Sequence, residues 1–408
     1  MASYGLIGEK LTHSFSAAIH KRFGYDYELK EVRPSELAVF MADPPYKGFN
    51  VTIPYKQAVT AYLDEVDPSA AEIGAVNTVV VKKGKRYGYN TDFAGMKFAL
   101  DAYGIFPAGK DVLILGSGGT AHTALALMNS LGAKRVRIVS RTGAINYENL
   151  PIEGKSAQII INTTPVGMFP DNDGCPVDLD NFPQLQGVFD AVYNPLTTRL
   201  VARAKARGIP AGNGLIMLVA QAKFARDLFL GEPCDDGVIY DIHKDIETEK
   251  RNIVLVGMSG CGKTTIGKLL AARLGKSFVD TDEQMVSAFG KPIAQTFAED
   301  GEAAFRAAEQ GVVKELSAQN GLVIATGGGA PLAAVSRERL RQNAVTVYIT
   351  RAAQSLDRTG RPLAVSEQRV KDMLIERDPV YRATADFTVS NDGTPLQALE
   401  KIIEGLKA

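Results

Sequence analysis

The sequence contains no tryptophan, and it has only three cysteines and four histidines among its 408 residues. Cys175, Cys234 and Cys261 lie far apart, with no spacing typical of a metal site, which argues against a disulfide framework or a zinc centre. The histidines are equally scattered, so none of them is expected to ligate a metal. This cysteine usage fits a reducing compartment, and we expect a cytoplasmic protein.

The chain also lacks a charge surplus and long apolar runs. Lys and Arg number 46, and so do Asp and Glu. Proteins that bind nucleic acids or anionic membranes usually carry a surplus of basic residues, so neither is an expected partner of this chain. No stretch reaches the roughly 18 apolar residues of a membrane span, and residues 1–20 show no secretory pattern. The expected partners are therefore small molecules.

Two Gly-rich turns divide the sequence, and each directly follows an apolar run of strand type. The run 112–115 precedes the turn 116–121, and the run 253–256 precedes the turn 257–264. A strand, a Gly-rich turn and a helix open an α/β phosphate-binding unit. Two such openings, about 140 residues apart, predict two separate parallel sheets, in line with the two or three domains expected at this length.

Strand and helix patterns also alternate before the first turn, which predicts an N-terminal α/β lobe. The predicted elements are a strand at 4–8, a helix at 15–23 capped by Ser14, a strand at 27–32, a helix at 34–41 and a strand at 48–53. A helix is predicted at 215–230. The stretch after it, 231–251, is polar and rich in acidic residues without a strong core periodicity, so we interpret it as a linker that could include a short helix.

The first turn is a shortened dinucleotide-binding pattern. Gly116, Gly118 and Gly119 would let backbone N–H groups approach a pyrophosphate at the start of a helix predicted over 120–131. Tight packing alone also produces Gly-rich turns. The residues at the end of the next strand favour a dinucleotide site and indicate which dinucleotide would bind. They are Ser140, Arg141 and Thr142, at a position where an NAD site usually has an acidic residue. A cation and two hydroxyl groups suit a 2′-phosphate, so NADP is the predicted cofactor.

Polar residues next to the predicted strands of the first lobe are candidates for binding a polyhydroxylated ligand. Lys56 and Asp92 could transfer a proton to an alkoxide that develops as hydride reaches a carbonyl carbon. A surface salt bridge is the alternative interpretation of this pair.

Over residues 1–230 these segments resemble the shikimate dehydrogenase family. The matching segments are Gly8 to Ser16, Phe49 to Lys56, Gly74 to Thr78, Gly88 to Gly95, Asn162 to Met168, Asp190 to Pro195 and Gly214 to Gln221. The resemblance implies that Lys56 and Asp92 are the catalytic pair. It implies that the ligand's carboxylate and hydroxyl groups are held by Ser14, Ser16, Thr52, Asn77 and Gln221. It further implies that Gly116, Gly118 and Gly119 hold the pyrophosphate of NADP, that Ser140, Arg141 and Thr142 hold its 2′-phosphate, and that Gly214 and Met217 line the nicotinamide side.

The cofactor lobe departs from this family at one place. Only some 16 residues separate Arg141 from the strand predicted at 158–161. A complete crossover helix and a further strand do not fit into that length, so we expect a trimmed lobe there.

The second turn is a complete Walker A motif, with a strand before it and a helix after it. The loop containing Gly257, Gly260 and Gly262 would cradle phosphates, and Lys263 would reach the β- and γ-phosphate oxygens. The hydroxyl of Thr264 would ligate Mg²⁺, and Thr265 belongs to the same nucleotide-binding loop.

Further candidates follow along the chain. Asp280 and Asp282 end a short strand and could support Mg²⁺ and deprotonate a hydroxyl group. Arg306 and Glu309 lie three residues apart, which also fits a simple intrahelical ion pair. The triplet 327–329 permits close approach of a ligand to the backbone, and the segment 358–363 has the pattern of a basic lid.

In this order the motifs resemble the shikimate kinase family over residues 252–408. The resemblance implies that Asp282 is the base, that Asp280 supports Mg²⁺ and substrate, and that Arg306 and Arg377 clamp the substrate carboxylate. Gly328 and Gly329 would lie against the substrate ring. Arg361 would stabilise the transferring phosphoryl group and Arg358 would contact the nucleotide, on a lid a few residues shorter than the family pattern.

We therefore predict α/β architecture throughout. A dehydrogenase domain would span 1–232, with a substrate lobe (1–100 plus 213–232) and a Rossmann NADP lobe (101–212). A linker would span 233–250, and a P-loop kinase domain with a five-stranded parallel sheet would span 251–408. The predicted function is NADPH-dependent reduction of 3-dehydroshikimate to shikimate, followed by its phosphorylation with Mg·ATP.

Three alternatives stay open. The first is a dehydrogenase half that acts on quinate or accepts NAD. The second is a regulator that binds shikimate-type ligands without turnover, although Lys56, Asp92, Lys263 and Asp282 argue against it. The third is a kinase for another small hydroxylated compound such as gluconate, which the two clamp arginines disfavour.

Overall fold

The computed structural model describes residues 3–11, 14–356 and 367–407. The chain forms two compact units, Met1–Glu247 and Thr248–Ala408. No helix among the described residues is long and apolar enough to cross a membrane.

The first unit contains two sheets and the helices that cover them. Its strands are β1 (Tyr4–Gly8), β2 (Tyr27–Glu31), β3 (Gly48–Val51), β4 (Glu65–Val66), β5 (Thr78–Lys82), β6 (Lys85–Tyr89), β7 (Asp111–Leu115), β8 (Arg135–Val139), β9 (Ile159–Asn162), β10 (Gly187–Asp190) and β11 (Ala211–Gly212). Its helices are α1 (Ser16–Arg22), α2 (Leu37–Ala42), α3 (Pro68–Ile73), α4 (Thr91–Ala102), α5 (Gly119–Ser130), α6 (Leu150–Glu153), α7 (Arg199–Ala206), α8 (Leu215–Leu230) and α9 (Gly237–Lys250), with 3₁₀ turns at Pro34–Glu36, Ala58–Tyr62 and Leu179–Asn181.

The second unit has a single sheet. Its strands are β12 (Asn252–Val256), β13 (Ser277–Asp280), β14 (Leu322–Ala325), β15 (Ala344–Thr350) and β16 (Phe387–Ser390). Its helices are α10 (Lys263–Leu274), α11 (Thr281–Phe289), α12 (Ile293–Glu299), α13 (Gly301–Ser317), α14 (Ala334–Gln342), α15 (Glu367–Thr384) and α16 (Pro395–Gly405), with 3₁₀ turns at Ala330–Leu332 and Ala353–Ser355.

The first sheet is mixed and has the strand order β2-β1-β3-β5-β6-β4. Strands β1, β2 and β3 are parallel, whereas β5 pairs antiparallel with both β3 and β6. The parallel half places the carboxyl ends of β1 and β3 at one edge, and the chain leaves β3 there toward Lys56. The second half returns the chain through β6 into α4, which begins at Thr91.

The second sheet is parallel throughout and has the order β11-β10-β9-β7-β8. Its three central strands β7, β9 and β10 are buried along their full length, as expected for near-continuous apolar runs in a sheet covered on both faces. The connection from β8 to β9 contains only the single turn α6 and an isolated parallel bridge between Val139 and Ile145. The trimmed crossover expected from the short connection is therefore present.

Helices α4 and α8 pack closely side by side at Gly95. A Cβ atom on Gly95 would lie 2.8 Å from the carbonyl oxygen of Met217 and 3.0 Å from the Gln221 Cβ. Only glycine permits this approach, which brings the start of α4 beside the polar residues of α8.

The predicted linker differs from the structure, because helix α9 occupies most of it. Ile239, Ile242 and Ile246 are buried in the same apolar cluster as residues of α4, α5 and α8. Their spacing of three and four residues is that of one helix face. Lys223 of α8 also forms an ion pair of 2.5 Å with Asp236, directly before α9. The acidic residues of this helix, such as Asp241 and Asp245, lie on its exposed side. Because they alternate with the isoleucines, the segment has the polar composition of a linker.

The prediction that Ser14 caps the first helix is also wrong. Helix α1 starts at Ser16 after Phe15, without a side-chain cap. The Ser14 hydroxyl instead accepts a hydrogen bond from the backbone N–H of Ser16, at 3.2 Å. Short hydroxyl side chains form such local turns as readily as they cap helices.

The sheet of the second unit has the order β13-β14-β12-β15-β16, and all its pairings are parallel. This confirms the predicted five-stranded parallel sheet. Strand β12 lies at its centre, so the Gly-rich turn after β12 emerges between the carboxyl ends of its neighbours β14 and β15. Ligand sites of open α/β sheets form at this kind of edge.

Candidate active sites

Lys56 and Asp92 form a partly buried ion pair in the first unit. The Lys56 Nζ donates to the Asp92 Oδ2 at 2.5 Å, and the two side chains are 16% and 8% exposed. Asp92 lies in the first turn of α4, which Asn90 caps by accepting from the Phe93 N–H at 3.1 Å. The pair is thus more enclosed than a surface salt bridge, the alternative interpretation of these two residues.

Asn77 joins this pair to helix α8. Its Nδ2 donates to the Asp92 Oδ1 at 2.9 Å and to the Gln221 Oε1 at 3.4 Å. Its Oδ1 accepts from the Thr91 N–H at 2.7 Å, which fixes the orientation of the amide. Four predicted site residues, Lys56, Asn77, Asp92 and Gln221, therefore lie together.

The hydroxyl residues of the first lobe lie near the ends of its strands. The Ser14 Oγ and the Ser16 Oγ are 3.1 Å apart. Thr52 follows β3 and packs on Gly8, where a Cβ atom would lie 2.6 Å from the Thr52 Cγ2. No hydrogen bond links these three residues to the Lys56 pair in the described structure, so their role in substrate binding stays a prediction.

The first Gly-rich turn lies beside the Lys56–Asp92 pair. Gly116 has φ +112°, and a Cβ atom there would lie 2.6 Å from the Thr163 Oγ1. Gly118 precedes α5 without a side-chain cap and faces open space. A Cβ atom on Gly119 would lie 3.7 Å from the Lys56 side chain. Uncapped N–H groups at a helix start, with room in front of them, fit a pyrophosphate.

Ser140, Arg141 and Thr142 follow β8, at the edge of this sheet. Arg141 and Thr142 are exposed, and the backbone N–H of Ser140 donates to the carbonyl of Ile145 at 3.2 Å. Burial raises the pKa of the Tyr147 hydroxyl, and the nearby positive charge of Arg141 opposes that rise. An accessible guanidinium group at this edge fits a phosphate monoester, whereas no carboxylate is present in this triplet to receive a ribose hydroxyl.

Gly214 directly precedes helix α8, and Met217 lies in its first turn. Gly214 packs directly on the carbonyl of Ala191, so a larger residue cannot replace it without a backbone shift. Met217 is 7% exposed. Their proposed contact with the nicotinamide stays a prediction.

In the second unit the loop after β12 has the geometry of a phosphate-binding loop. Gly257, Gly260 and Gly262 have φ of +144°, +86° and +101°, values that favour glycine. The Lys263 Nζ donates to the carbonyls of Gly257 and Met258, each at 2.8 Å. Lys263 is thus held across the loop that we expect to hold the phosphates.

A hydroxyl and two carboxylates lie beside this loop. The Thr264 Oγ1 donates to the Asp280 Oδ2 at 2.7 Å, and the Asp280 Oδ1 accepts from the Asp282 N–H at 2.9 Å. These oxygen ligands are of the type that Mg²⁺ prefers when it bridges to phosphate. No group of three His, Cys, Asp or Glu residues in the described ranges could hold a metal by itself. Thr265 is exposed on α10.

The glycine triplet after β14 packs against Asp282, the phosphate-binding loop and Arg306. Gly327 packs on the Asp282 carboxylate, and Gly329 packs on the Arg306 guanidinium group. A Cβ atom on Gly328 would lie 2.8 Å from the Ser259 Oγ of the phosphate-binding loop. Backbone without side chains therefore forms the floor between the phosphate-binding loop and Arg306.

Two arginines approach this floor from different helices. The Arg306 Nη1 donates to the Glu309 Oε2 at 2.7 Å, so the expected intrahelical pair is also present. Burial raises the pKa of Glu309, although the hydrogen bond and the positive charge of Arg306 oppose the rise. The Arg377 Nη1 lies 3.4 Å from the carbonyl oxygen of Gly328. The two cations therefore lie next to adjacent glycines, and a pair of guanidinium groups there is suited to a carboxylate.

Sequence reasoning missed three residues of this site. Glu309 was noted only as an ion-pair partner. Tyr381 donates to the Gly328 carbonyl at 2.5 Å, and Asn391 donates to the Cys261 carbonyl of the phosphate-binding loop at 2.8 Å. Asn391 directly follows β16, and its position at the carboxyl end of a strand of this sheet is a signal that could have identified it. Arg358 and Arg361 lie outside the described residues, so their roles stay predictions.

The two sites define a two-domain enzyme that combines a dinucleotide-linked oxidoreductase with a P-loop kinase. Comparisons with known proteins specify both halves. A family model described as the shikimate dehydrogenase substrate binding domain matches residues 6–79, and one described as shikimate kinase matches residues 259–407. A shikimate dehydrogenase (NADP(+)) from Methanococcus maripaludis is 37% identical over 273 residues, which cover 60% of this chain and 97% of the relative.

Solved structures agree with this result. Shikimate dehydrogenase 1 from Peptoclostridium difficile has 31% identity and a TM-score of 0.57, covering 60% of this chain and 98% of its own. The enzyme from Thermus thermophilus, solved with NADP(H) and shikimate, has 31% identity and a TM-score of 0.54 over 60% of this chain and 99% of its own. The chain belongs to the shikimate dehydrogenase family. It joins this domain to a C-terminal shikimate kinase domain and is a bifunctional enzyme of the shikimate pathway.

Proposed function

We propose that this protein reduces 3-dehydroshikimate to shikimate with NADPH and then phosphorylates shikimate with Mg·ATP. The observation that carries the proposal is that one chain brings together two separate groups of predicted catalytic residues. One set is the Lys56–Asp92 pair beside a dinucleotide turn. The other is Asp282 beside Thr264, Asp280 and the phosphate-binding loop.

In the reduction, bound NADPH supplies the hydride to the carbonyl carbon. The Lys56 ammonium group donates a proton to the carbonyl oxygen as negative charge develops there. Asp92 holds the ammonium group in place, and Asn77 orients Asp92. Ser14, Ser16, Thr52, Asn77 and Gln221 would bind the carboxylate and hydroxyl groups of the substrate.

In the second reaction, bound Mg·ATP supplies the phosphoryl group. Asp282 orients the substrate hydroxyl and accepts its proton, and Thr264 and Asp280 would hold the metal ion. Arg306 and Arg377 would bind the substrate carboxylate above the floor of Gly328 and Gly329. Arg361 would stabilise the transferring group, as predicted from the sequence.

The two reactions are chemically consecutive. Reduction of a ketone creates a hydroxyl group, and a kinase needs a hydroxyl group as its nucleophile. Both proposed pockets also contain groups for a small carboxylate, so one compound can serve as product of the first site and substrate of the second.

A direct assay tests the proposal. Wild-type protein is given 3-dehydroshikimate, NADPH, ATP and Mg²⁺, while NADPH oxidation and ADP formation are followed separately. We expect NADPH loss first and ADP formation only after shikimate accumulates. Absence of both signals would support the regulator alternative. Quinate, NAD and gluconate, run in place of the proposed reactants, test the remaining alternatives.

Arg141 provides a test of cofactor choice. Replacement Arg141→Ala should raise the KM for NADPH about tenfold, because a charge-assisted contact with the 2′-phosphate is lost. The KM for NADH should stay unchanged. The measurement is the initial rate of reduction at varied concentrations of each cofactor.

Lys155→Ala is the matched control, since Lys155 is an exposed cation in the same connection between β8 and β9. It should leave both KM values as in the wild type. Equal effects of Arg141→Ala on NADPH and NADH would show that Arg141 does not read the 2′-phosphate.

A further inference from the structure

Asp190 is a buried carboxylate outside the predicted site. It ends strand β10 with no exposed surface. Three donors surround it: the Asn162 Nδ2 at 2.9 Å and the Val192 N–H at 3.0 Å on Oδ1, and the Thr198 hydroxyl at 2.7 Å on Oδ2. No cation pair to this carboxylate occurs within the part of the chain that the structure describes. Burial raises its pKa to about 6. Such a group is costly to bury, so its retention needs a reason beyond packing.

The first partner, Asn162, shapes the loop that packs on the dinucleotide turn. Its Oδ1 accepts from the backbone N–H and the hydroxyl of Thr164, at 3.0 and 2.7 Å. The next residue back, Thr163, donates its hydroxyl to the carbonyl of Leu115 at 2.7 Å. Both threonines contact the position of Gly116, where a Cβ atom would lie 2.6 Å from Thr163 and 3.2 Å from Thr164.

The second partner, Val192, fixes the start of helix α8. The backbone N–H of Gly214 donates to the Val192 carbonyl at 3.0 Å, and Gly214 packs on the adjacent Ala191. Helix α8 then carries Met217, which is predicted to line the nicotinamide side. Gln221, one turn further, is held independently of Asp190, because Asn77 donates to its Oε1 at 3.4 Å and α8 packs there on Gly95. The position of the Val192 backbone therefore sets where α8 begins relative to the second sheet.

The third partner, Thr198, caps helix α7. Its hydroxyl donates to Asp190 and also accepts from the Val201 N–H at 3.3 Å. One carboxylate thus ties the loop after β9, the loop after β10 and the first turn of α7 to a single point. Since all three partners donate, only a group with free lone pairs on both oxygens satisfies them together.

We propose that Asp190 is a positioning residue that holds the wall of the cofactor site formed by the loops after β9 and β10. It affects NADPH binding indirectly, through the positions of Gly116 and Gly214, and contacts neither NADPH nor 3-dehydroshikimate itself. This inference rests on the proposed NADPH-dependent reduction. It adds that binding of the cofactor, but not of 3-dehydroshikimate, depends on Asp190.

The test compares three variants in steady-state assays. Asp190→Ala leaves three donors unpaired and should raise the KM for NADPH about tenfold, equivalent to about 1.4 kcal/mol. Asp190→Asn keeps one acceptor oxygen, and Thr198→Val removes the Oδ2 partner together with the cap on the Val201 N–H, so each should raise the KM for NADPH about threefold. The KM for 3-dehydroshikimate should change less than twofold in all three.

Kinase activity of the same molecules reports whether the second unit is folded and gives the amount of intact protein in each assay. Asp180→Asn is the matched control, because it removes a carboxylate that is 88% exposed in the same lobe. If Asp190→Ala abolishes reduction while the kinase stays active, the two milder variants decide between positioning and local unfolding. Equal rises in both KM values, or no rise in any variant, would overturn the inference. Inactive wild-type protein would instead contradict the proposed function itself.

Discussion

Replacement Lys56→Ala is expected to lower the rate of NADPH-dependent reduction about 10³-fold, since it removes the group that donates the proton. The effect should fall on kcat, because the ammonium group is needed most when charge develops on the oxygen. Shikimate phosphorylation by the same protein should be unchanged. The two rates are measured separately, with 3-dehydroshikimate and NADPH in one assay and with shikimate and Mg·ATP in the other.

Lys97→Ala is the matched control for this experiment. Lys97 lies on α4, like Asp92, and forms a 2.8 Å ion pair with Asp101 that is about half exposed. Exposed pairs contribute little, so this variant should keep both activities. A Lys56→Ala protein that still reduces 3-dehydroshikimate at the wild-type rate would exclude Lys56 as the proton donor.

The second large effect is expected for Asp282→Asn. This change keeps the size of the side chain but removes the base, so shikimate phosphorylation should fall about 10²- to 10³-fold. Dehydrogenase activity should stay as in the wild type. The measurement is ADP formation with shikimate supplied directly, which makes the result independent of the first site.

Glu283→Gln is the corresponding control, one residue further along α11. The Glu283 side chain is 63% exposed, and its carboxylate forms a long ion pair of 3.7 Å with Lys268. Because such an exposed charge is screened by solvent, its removal should not affect phosphoryl transfer. Loss of kinase activity in both variants would indicate a general effect of negative charge on α11. Full activity of Asp282→Asn would mean that another group deprotonates the hydroxyl.

Several elements follow closely from local pattern. Helix α8 runs from Leu215 to Leu230 and strand β1 from Tyr4 to Gly8, the ranges predicted from the sequence. Helix α8 lies between Gly214 and Gly231, and glycine at the ends of an element makes its limits visible in the sequence. The two Gly-rich turns were equally predictable, because their chemistry is written in consecutive residues.

Other features depended on partners that local pattern does not reveal. The three isoleucines of α9 are spaced for burial, yet polar residues between them gave the segment the composition of a linker. Asp190 stood in a recognised segment but received no role, since its three donors come from separate positions of the chain. Ser14 failed as a cap because the choice between a local turn and a cap depends on where the helix actually starts.

The sequence by itself determined which chemical groups this protein has, in which order, and at the ends of which strands. That information is local, since phosphate-binding turns and strand ends are specified by neighbouring residues. Only the tertiary structure decided which of these groups meet. Asn77 reaches Gln221 across 144 residues, and Lys56 lies beside Gly119, because strand order and the close packing of α4 on α8 bring distant segments to one edge. Such meetings depend on topology, which no single stretch of residues encodes.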